Sequence, residues 1–165
     1  MTTTIRPAER SDIALVVTII RTAFKGPAAR LNLTPENSGK HASNITEAWV
    51  KDDMKRGVRY YILDVDGIPL GAVTVEHARP EVCYIGRLSV LPAFHRRGYG
   101  RELLTFAIDE AEKTGADHAS IGVISDETHL IEWYERMGFR VSRRVSFEHF
   151  PFEVTLMRRE LKGKG

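Results

Sequence analysis

The chain has 165 residues, 42% of them hydrophobic and 28% charged, with 24 Lys plus Arg against 22 Asp plus Glu. That length and balance suit one globular domain spanning 1–165 and exclude a disordered chain. A net charge of +2 argues against a nucleic-acid binder, and the single cysteine, Cys83, excludes an internal disulfide framework and a thiolate zinc site. No apolar run approaches the ~20 residues of a membrane span. The opening MTTTIRPAE lacks a signal-peptide core. The expected setting is therefore cytoplasmic, with no membrane and no metal.

In chain order, the residues up to Pro7 suit a short edge strand. Ser11 or Asp12 can cap a helix whose apolar residues Ile13, Val16, Val17, Ile20 and Phe24 share one face. Residues 25–43 hold Gly26, Pro27, Pro35, Asn37 and Gly39, which reads as a long surface loop. Asn44 with Glu47 resembles a capping box for a helix carrying Trp49, Val50 and Met54, stopped at Gly57. Residues 60–65, the Asp66-Gly67 turn and residues 68–76 form a hairpin, and a third strand runs over 82–90. Residues 98–114 form a helix with Leu103, Leu104, Ala107, Ile108 and Ala111 on one side, ended by Gly115. A strand over 119–124, a helix over 126–137 and strands over 139–147 and 152–161 complete the chain, with a frayed KGKG tail. This order predicts a mixed sheet covered by helices.

The chemistry concentrates in residues 87–104. A strand ends at Val90, Pro92 breaks its ladder, and a basic loop leads through Gly98 and Gly100 into a helix. Without Cβ atoms those glycines let a ligand approach the backbone. The first helical amides lack intrahelical partners and sit at the positive end of the dipole, which suits phosphate oxygens. Arg96, Arg97 and Arg101 add positive charge. The bland alternative is a glycine-rich helix start with solvated arginines. A P-loop is excluded because no Lys-Ser or Lys-Thr pair directly follows the glycines. The dinucleotide fingerprint fails because Leu103 stands at its third glycine.

The pattern Val90-x-Pro92-x-x-His95-x-x-Gly98-x-Gly100 resembles the pyrophosphate signature of the GNAT superfamily of N-acetyltransferases, with His95 where that family usually has Gln or Arg. The order of elements is similar across nearly the whole chain. The resemblance implies an α/β (α+β) fold: a mixed, mostly antiparallel sheet of six to seven strands flanked by about four helices. It implies acetyl-CoA as cofactor, bound along Leu88, Ser89, Val90, His95, Arg96, Arg97, Gly98, Tyr99, Gly100 and Arg101. The phosphates would meet backbone amides, and the pantetheine arm would pair with the strand ending at Val90, whose amide is the oxyanion candidate.

A second segment, Trp133 to Phe139, resembles the family's Y-x-x-x-G-F ending and puts Tyr134 where many members place a phenol near the departing thiolate. Its alternative is a core aromatic, on one face with Leu130 and Met137. Glu127 stands where many members carry an Asn.

For an N-acetyltransferase working by direct attack of a primary amine, a proton acceptor is needed. Glu76, at the end of a strand beside the cofactor strand, is the leading base, with a solvated strand-end carboxylate as its alternative. His77, His95, His118 and Glu148 rank below it, and His118 reads as a surface-turn residue. Cys83 reads as an apolar filler rather than a nucleophile. The acceptor, a small-molecule or peptide amine, should meet the 25–43 loop, the next helix and the 146–152 hairpin. Asn32, Asn37, His41, Trp49, Tyr84, Glu148, His149 and Phe150 are candidate lining groups, and Glu36, Glu47, Asp52 and Asp53 would suit a cation. Two rivals remain: a CoA-sensing or partner-binding domain without turnover, and a basic nucleic-acid module. The family resemblance also admits a homodimer through the last strands.

Overall fold

The computed structural model describes residues 1–148 and 150–162; His149, one of the lining candidates, and the last three residues of the tail lie outside the described residues. The elements follow the predicted order: β1 (Thr3–Pro7), α1 (Ile13–Arg30), α2 (Glu47–Lys55), β2 (Arg59–Val65), β3 (Ile68–Arg79), β4 (Val82–Val90), α3 (Tyr99–Lys113), β5 (His118–Ile124), α4 (Thr128–Arg136), β6 (Arg140–Ser146) and β7 (Glu153–Glu160). They build one seven-stranded sheet in the order β1-β2-β3-β4-β5-β7-β6. Every neighbouring pair is antiparallel except β4 and β5.

Two apolar clusters sandwich the sheet. On one face, Ile13, Val16, Ile20 and Val50 of α1 and α2 pack on Tyr60, Ile62 and Ala72. On the other, Leu103, Leu104, Ala107 and Ile108 of α3 pack on Val73, Val75, Cys83 and Ile85, joined by Tyr134 and Phe139. Alternation along β2 and, after an irregularity at Leu70, along β3 divides their side chains between these clusters. The β2–β3 hairpin closes through Asp66 and Gly67, whose φ of 51 and 80° suit the mirror-image two-residue turn.

Local expectations needed four corrections. Residues 25–30 are helical, because Pro27 removes only one donor and the buried Ala28 extends the apolar stripe a turn beyond Phe24. The α2 cap is Thr46, whose hydroxyl accepts from the Trp49 amide at 3.2 Å, whereas Asn44 donates to the Ser38 carbonyl at 2.9 Å. The second hairpin strand continues to Arg79. His118 opens β5 opposite Val82, with a buried Nδ1 that has no hydrogen-bond partner, so it is no surface-turn residue.

Close packing of α3 on β3 is visible at Gly71. A Cβ there would lie 2.8 Å from Leu103 Cδ1 and 2.9 Å from the Ser89 carbonyl oxygen. The oxygen belongs to the adjacent strand and cannot swing away. Gly71→Ala is expected to destabilise the protein by about 1–3 kcal/mol in a denaturant titration, the range for overpacking; an unchanged midpoint would refute the contact.

Candidate active site

The parallel pair β4–β5 holds together only at its start, where residues Val82, Cys83 and Tyr84 face His118, Ala119 and Ser120. Beyond it the two strands separate, while the other edge of β5 pairs along its whole length with β7. From Ile85 to Val90 the β5-facing edge of β4 therefore has no strand partner among the described residues. An unpaired strand edge of this kind is a ready template for an extended ligand. Leu88, Ser89 and Val90 lie on it, with the Leu88 and Val90 side chains packed toward the α3 cluster.

This edge runs out at Pro92 and is followed by the α3 N-terminus. Gly98 is the helix cap, at φ 83°, where a Cβ is disfavoured. The first bond into the helix is Glu102 N to Gly98 O at 3.1 Å, so the amides of Tyr99, Gly100 and Arg101 precede any intrahelical acceptor. A Cβ on Gly98 or Gly100 would meet nothing within 4 Å, so open space borders those amides. Arg96, Arg97 and Arg101 are exposed around them, and Arg97 lies over the Phe94 ring, 5.5 Å from its centroid. Donor amides, three cations and a cradle without side chains fit a pyrophosphate. His95 serves the loop: its Nε2 donates to the Val90 carbonyl at 2.7 Å, pinning the end of the strand to the turn. Tyr99 turns its ring into the core and offers only backbone to the cleft.

Tyr134 is 8% exposed and belongs to the same cluster as Leu88 and Val90. Trp133 and Phe139 meet its ring edge-on, with centroids 5.0 and 5.8 Å away. Burial pushes its phenol well above the ordinary tyrosine range, so it is neutral at physiological pH. Tyr134 is thus a core aromatic whose ring shares the cluster against which Leu88 and Val90 pack.

Glu76 lies across the sheet from Tyr84 and shares a cavity of about 170 Å³ with Asp53, Arg56, Thr74, Gly86 and Arg87. Its Oε2 accepts from Arg56 Nη1 at 2.9 Å, and its side chain is 26% exposed. A second cavity, also about 170 Å³, opens between the end of α1 and the β6–β7 hairpin. Leu31, Asn32, Leu33 and Asn37 form one wall; Ile124, Asp126, Pro151 and Phe152 form the other. This is the pair of segments expected to meet an acceptor. Of the predicted lining groups, Asn32 and Asn37 are in place, and His41 stands behind Phe152 with ring centroids 6.4 Å apart. Asn37 is committed to its own turn, accepting from the Thr34 amide at 2.8 Å and donating to the Asn32 carbonyl at 3.0 Å. Tyr84 belongs to the other cavity. Asp126 and Phe152 were missed because both sit in loops that carry no motif.

Glu127 does not face the cleft: it pairs with Arg30 at 3.1 Å and lies 3.6 Å from His129, tying α1 to α4. Cys83 is fully buried, and burial pushes its thiol up, partly offset by Thr114, so it has none of the thiolate character a nucleophile needs.

The profile of the acetyltransferase (GNAT) family matches residues 28–139, which include the whole cleft and the α3 turn. The chain belongs to the GNAT acetyltransferase family. Among its relatives, this GNAT chain is 29% identical over 92 residues to an uncharacterized N-acetyltransferase, YvbK, of Bacillus subtilis (strain 168); the match takes in 56% of the chain and 59% of that relative's length. In fold, the GNAT chain is similar to the ribosomal-protein-S18-alanine N-acetyltransferase from Escherichia coli, with a TM-score of 0.78 and 20% identity, covering 99% of this chain and 97% of that one. It is also similar to the PaiA N-acetyltransferase from Thermoplasma acidophilum, solved in complex with coenzyme A, with a TM-score of 0.80 and 16% identity over 97% of this chain and 99% of that one. The GNAT fold expected from the motifs is thus the fold observed. Among the described residues no helix is long and apolar enough to cross a membrane, and no group of His, Cys, Asp and Glu is arranged to hold a metal ion.

Proposed function

We propose that residues 1–165 form one acetyl-CoA-dependent N-acetyltransferase domain that acetylates a primary amine by direct attack. The observation that carries this reading is the unpaired edge of β4 running into the open, glycine-lined start of α3. The amides of Arg97, Gly98, Gly100 and Arg101, with the charges of Arg96, Arg97 and Arg101, hold the pyrophosphate. Leu88 and Val90 pair with the pantetheine arm, with Ser89 between them, and His95 and Tyr99 keep the turn in shape. Bound acetyl-CoA supplies an acetyl thioester. The Val90 amide faces its carbonyl oxygen.

An alkyl amine has a pKa of about 10.4 and arrives protonated, so it must shed a proton before attack. Glu76, held by the hydrogen bond from Arg56 at 2.9 Å, accepts that proton through water. Tyr134, kept neutral by burial, gives a proton to the departing thiolate. The second cavity takes the body of the acceptor and directs its amine toward the β4 edge. Its small volume and its walls of Leu31, Leu33, Ile124, Pro151 and Phe152 favour a compact amine with an apolar body, with the exposed Asp126 able to face the cation. The reaction runs in the cytoplasm, where a lone buried thiol such as Cys83 stays reduced. The exposed β6 at the sheet edge offers a homodimer contact.

Thiol release from acetyl-CoA, measured across a panel of amino acids, aryl- and alkylamines, polyamines, aminoglycosides and peptides, tests this. Release matched by N-acetylated product from compact apolar amines is the expected result. Tight CoA binding with no release from any amine would instead support a CoA-sensing domain.

A further inference from the structure

Arg87 is the residue of the cofactor strand that no motif explains. It sits at φ 49°, in the left-handed region that residues with a Cβ avoid. The register shows why the chain needs that conformation. Thr74 faces Gly86 and Ala72 faces Ser89, so the single residue Val73 opposes both Arg87 and Leu88: a β-bulge. Before the bulge the odd-numbered Cys83 and Ile85 face the α3 cluster; after it the even-numbered Leu88 and Val90 do. The bulge therefore shifts the phase of the strand just after β4 parts from β5.

Arg87 is held at both ends. The Ser89 hydroxyl donates to the Arg87 carbonyl at 2.8 Å. On the α2 face the guanidinium reaches the Asp53 carboxylate and the Tyr60 hydroxyl. Asp53 and Tyr60 are buried, and Tyr60 also donates to Asp53. Arg56 donates to the other oxygen of Asp53 at 2.7 Å, so this carboxylate is clamped on all sides.

We infer that Asp53 and Tyr60, acting through Arg87, are positioning residues that hold the β4 bulge in register and so keep the cofactor-binding edge formed. If the anchor is lost, the left-handed residue relaxes and the strand slips toward the phase that turns Leu88 and Val90 to the wrong face. Only the fraction of molecules with the bulge intact then binds, which lowers the apparent affinity by that fraction. This inference rests on the reading of β4 as the pantetheine strand.

Calorimetric titration of CoA into folded wild type, Arg87→Ala, Arg87→Gly and Asp53→Ala tests it, with thermal melts run on each. Alanine keeps the Cβ without the anchor, so Arg87→Ala should bind about tenfold more weakly. Glycine adopts the conformation unaided, so Arg87→Gly should stay within about threefold of wild type. Asp53→Ala should resemble Arg87→Ala; if it does not fold, the pair at position 87 decides. Equal affinities in Arg87→Ala and Arg87→Gly, or wild-type affinity in a folded Asp53→Ala, overturn the inference, because a network that merely secures α2 would shift melting and leave affinity alone. Failure of wild type to bind CoA overturns the cofactor reading itself, and the inference with it.

Discussion

Gly98→Glu should abolish measurable CoA binding, a loss of at least about 100-fold, or ~2.8 kcal/mol at about 1.4 kcal/mol per tenfold. Two independent effects add. Gly98 caps α3 at φ 83°, and a residue with a Cβ is disfavoured there by about 1–2 kcal/mol. The added carboxylate also enters the open space beside the free amides of Tyr99, Gly100 and Arg101, where it competes for the donors and repels phosphate. Gly98→Ala separates the two, since it keeps the backbone penalty and adds no charge; it should lose only about tenfold. Isothermal calorimetry with CoA reads both variants. Near-wild-type affinity in Gly98→Glu would move the pyrophosphate away from this turn.

Tyr134→Phe should lower kcat by about 100-fold while leaving CoA affinity unchanged, the least expected for removing a general acid. Its ring packs among Trp133, Phe139 and the cofactor-strand residues, so phenylalanine keeps the shape and removes only the proton. An equal drop in affinity would mean that the side chain serves packing instead. A pH titration gives a second check. The folded phenol is raised by burial, so the stability linked to it is fully present below the unfolded value of about 10 and is lost as pH rises above it. The reason is that above that pH the unfolded tyrosine has shed a proton that the folded one retains. Each such group steepens the alkaline loss by up to ~1.4 kcal/mol per pH unit. Tyr134→Phe should flatten that limb in denaturant titrations between pH 9 and 11, and an unchanged slope would show that the phenol ionises freely in the folded protein.

Much of the molecule is written in short-range patterns. The Asp66-Gly67 turn placed the β2–β3 hairpin, and the period of Leu103, Leu104, Ala107 and Ile108 placed α3. Gly98 and Gly100 after Pro92 marked the anion-binding turn. These features are legible because each depends on a few neighbouring residues: a face, a cap, a residue without a Cβ. The boundaries read less well where local signals competed. Pro27 suggested a break that packing of Ala28 overrode, and Asn44 looked like a cap until Thr46 took that role.

The sequence by itself determined the class of fold and singled out the glycine-containing turn before α3. Only the tertiary structure decided how the cleft forms and what surrounds it. β4 meets β5 over only three residue pairs, while the other edge of β5 pairs fully with β7, a contact between strands separated by α4 and β6 in the chain. The cluster of Asp53, Tyr60 and Arg87 joins α2, β2 and β4, and the second cavity joins the end of α1 to the β6–β7 hairpin. No periodicity records such meetings, because they arise when distant segments are folded onto one sheet and their charged groups must find partners as water is excluded.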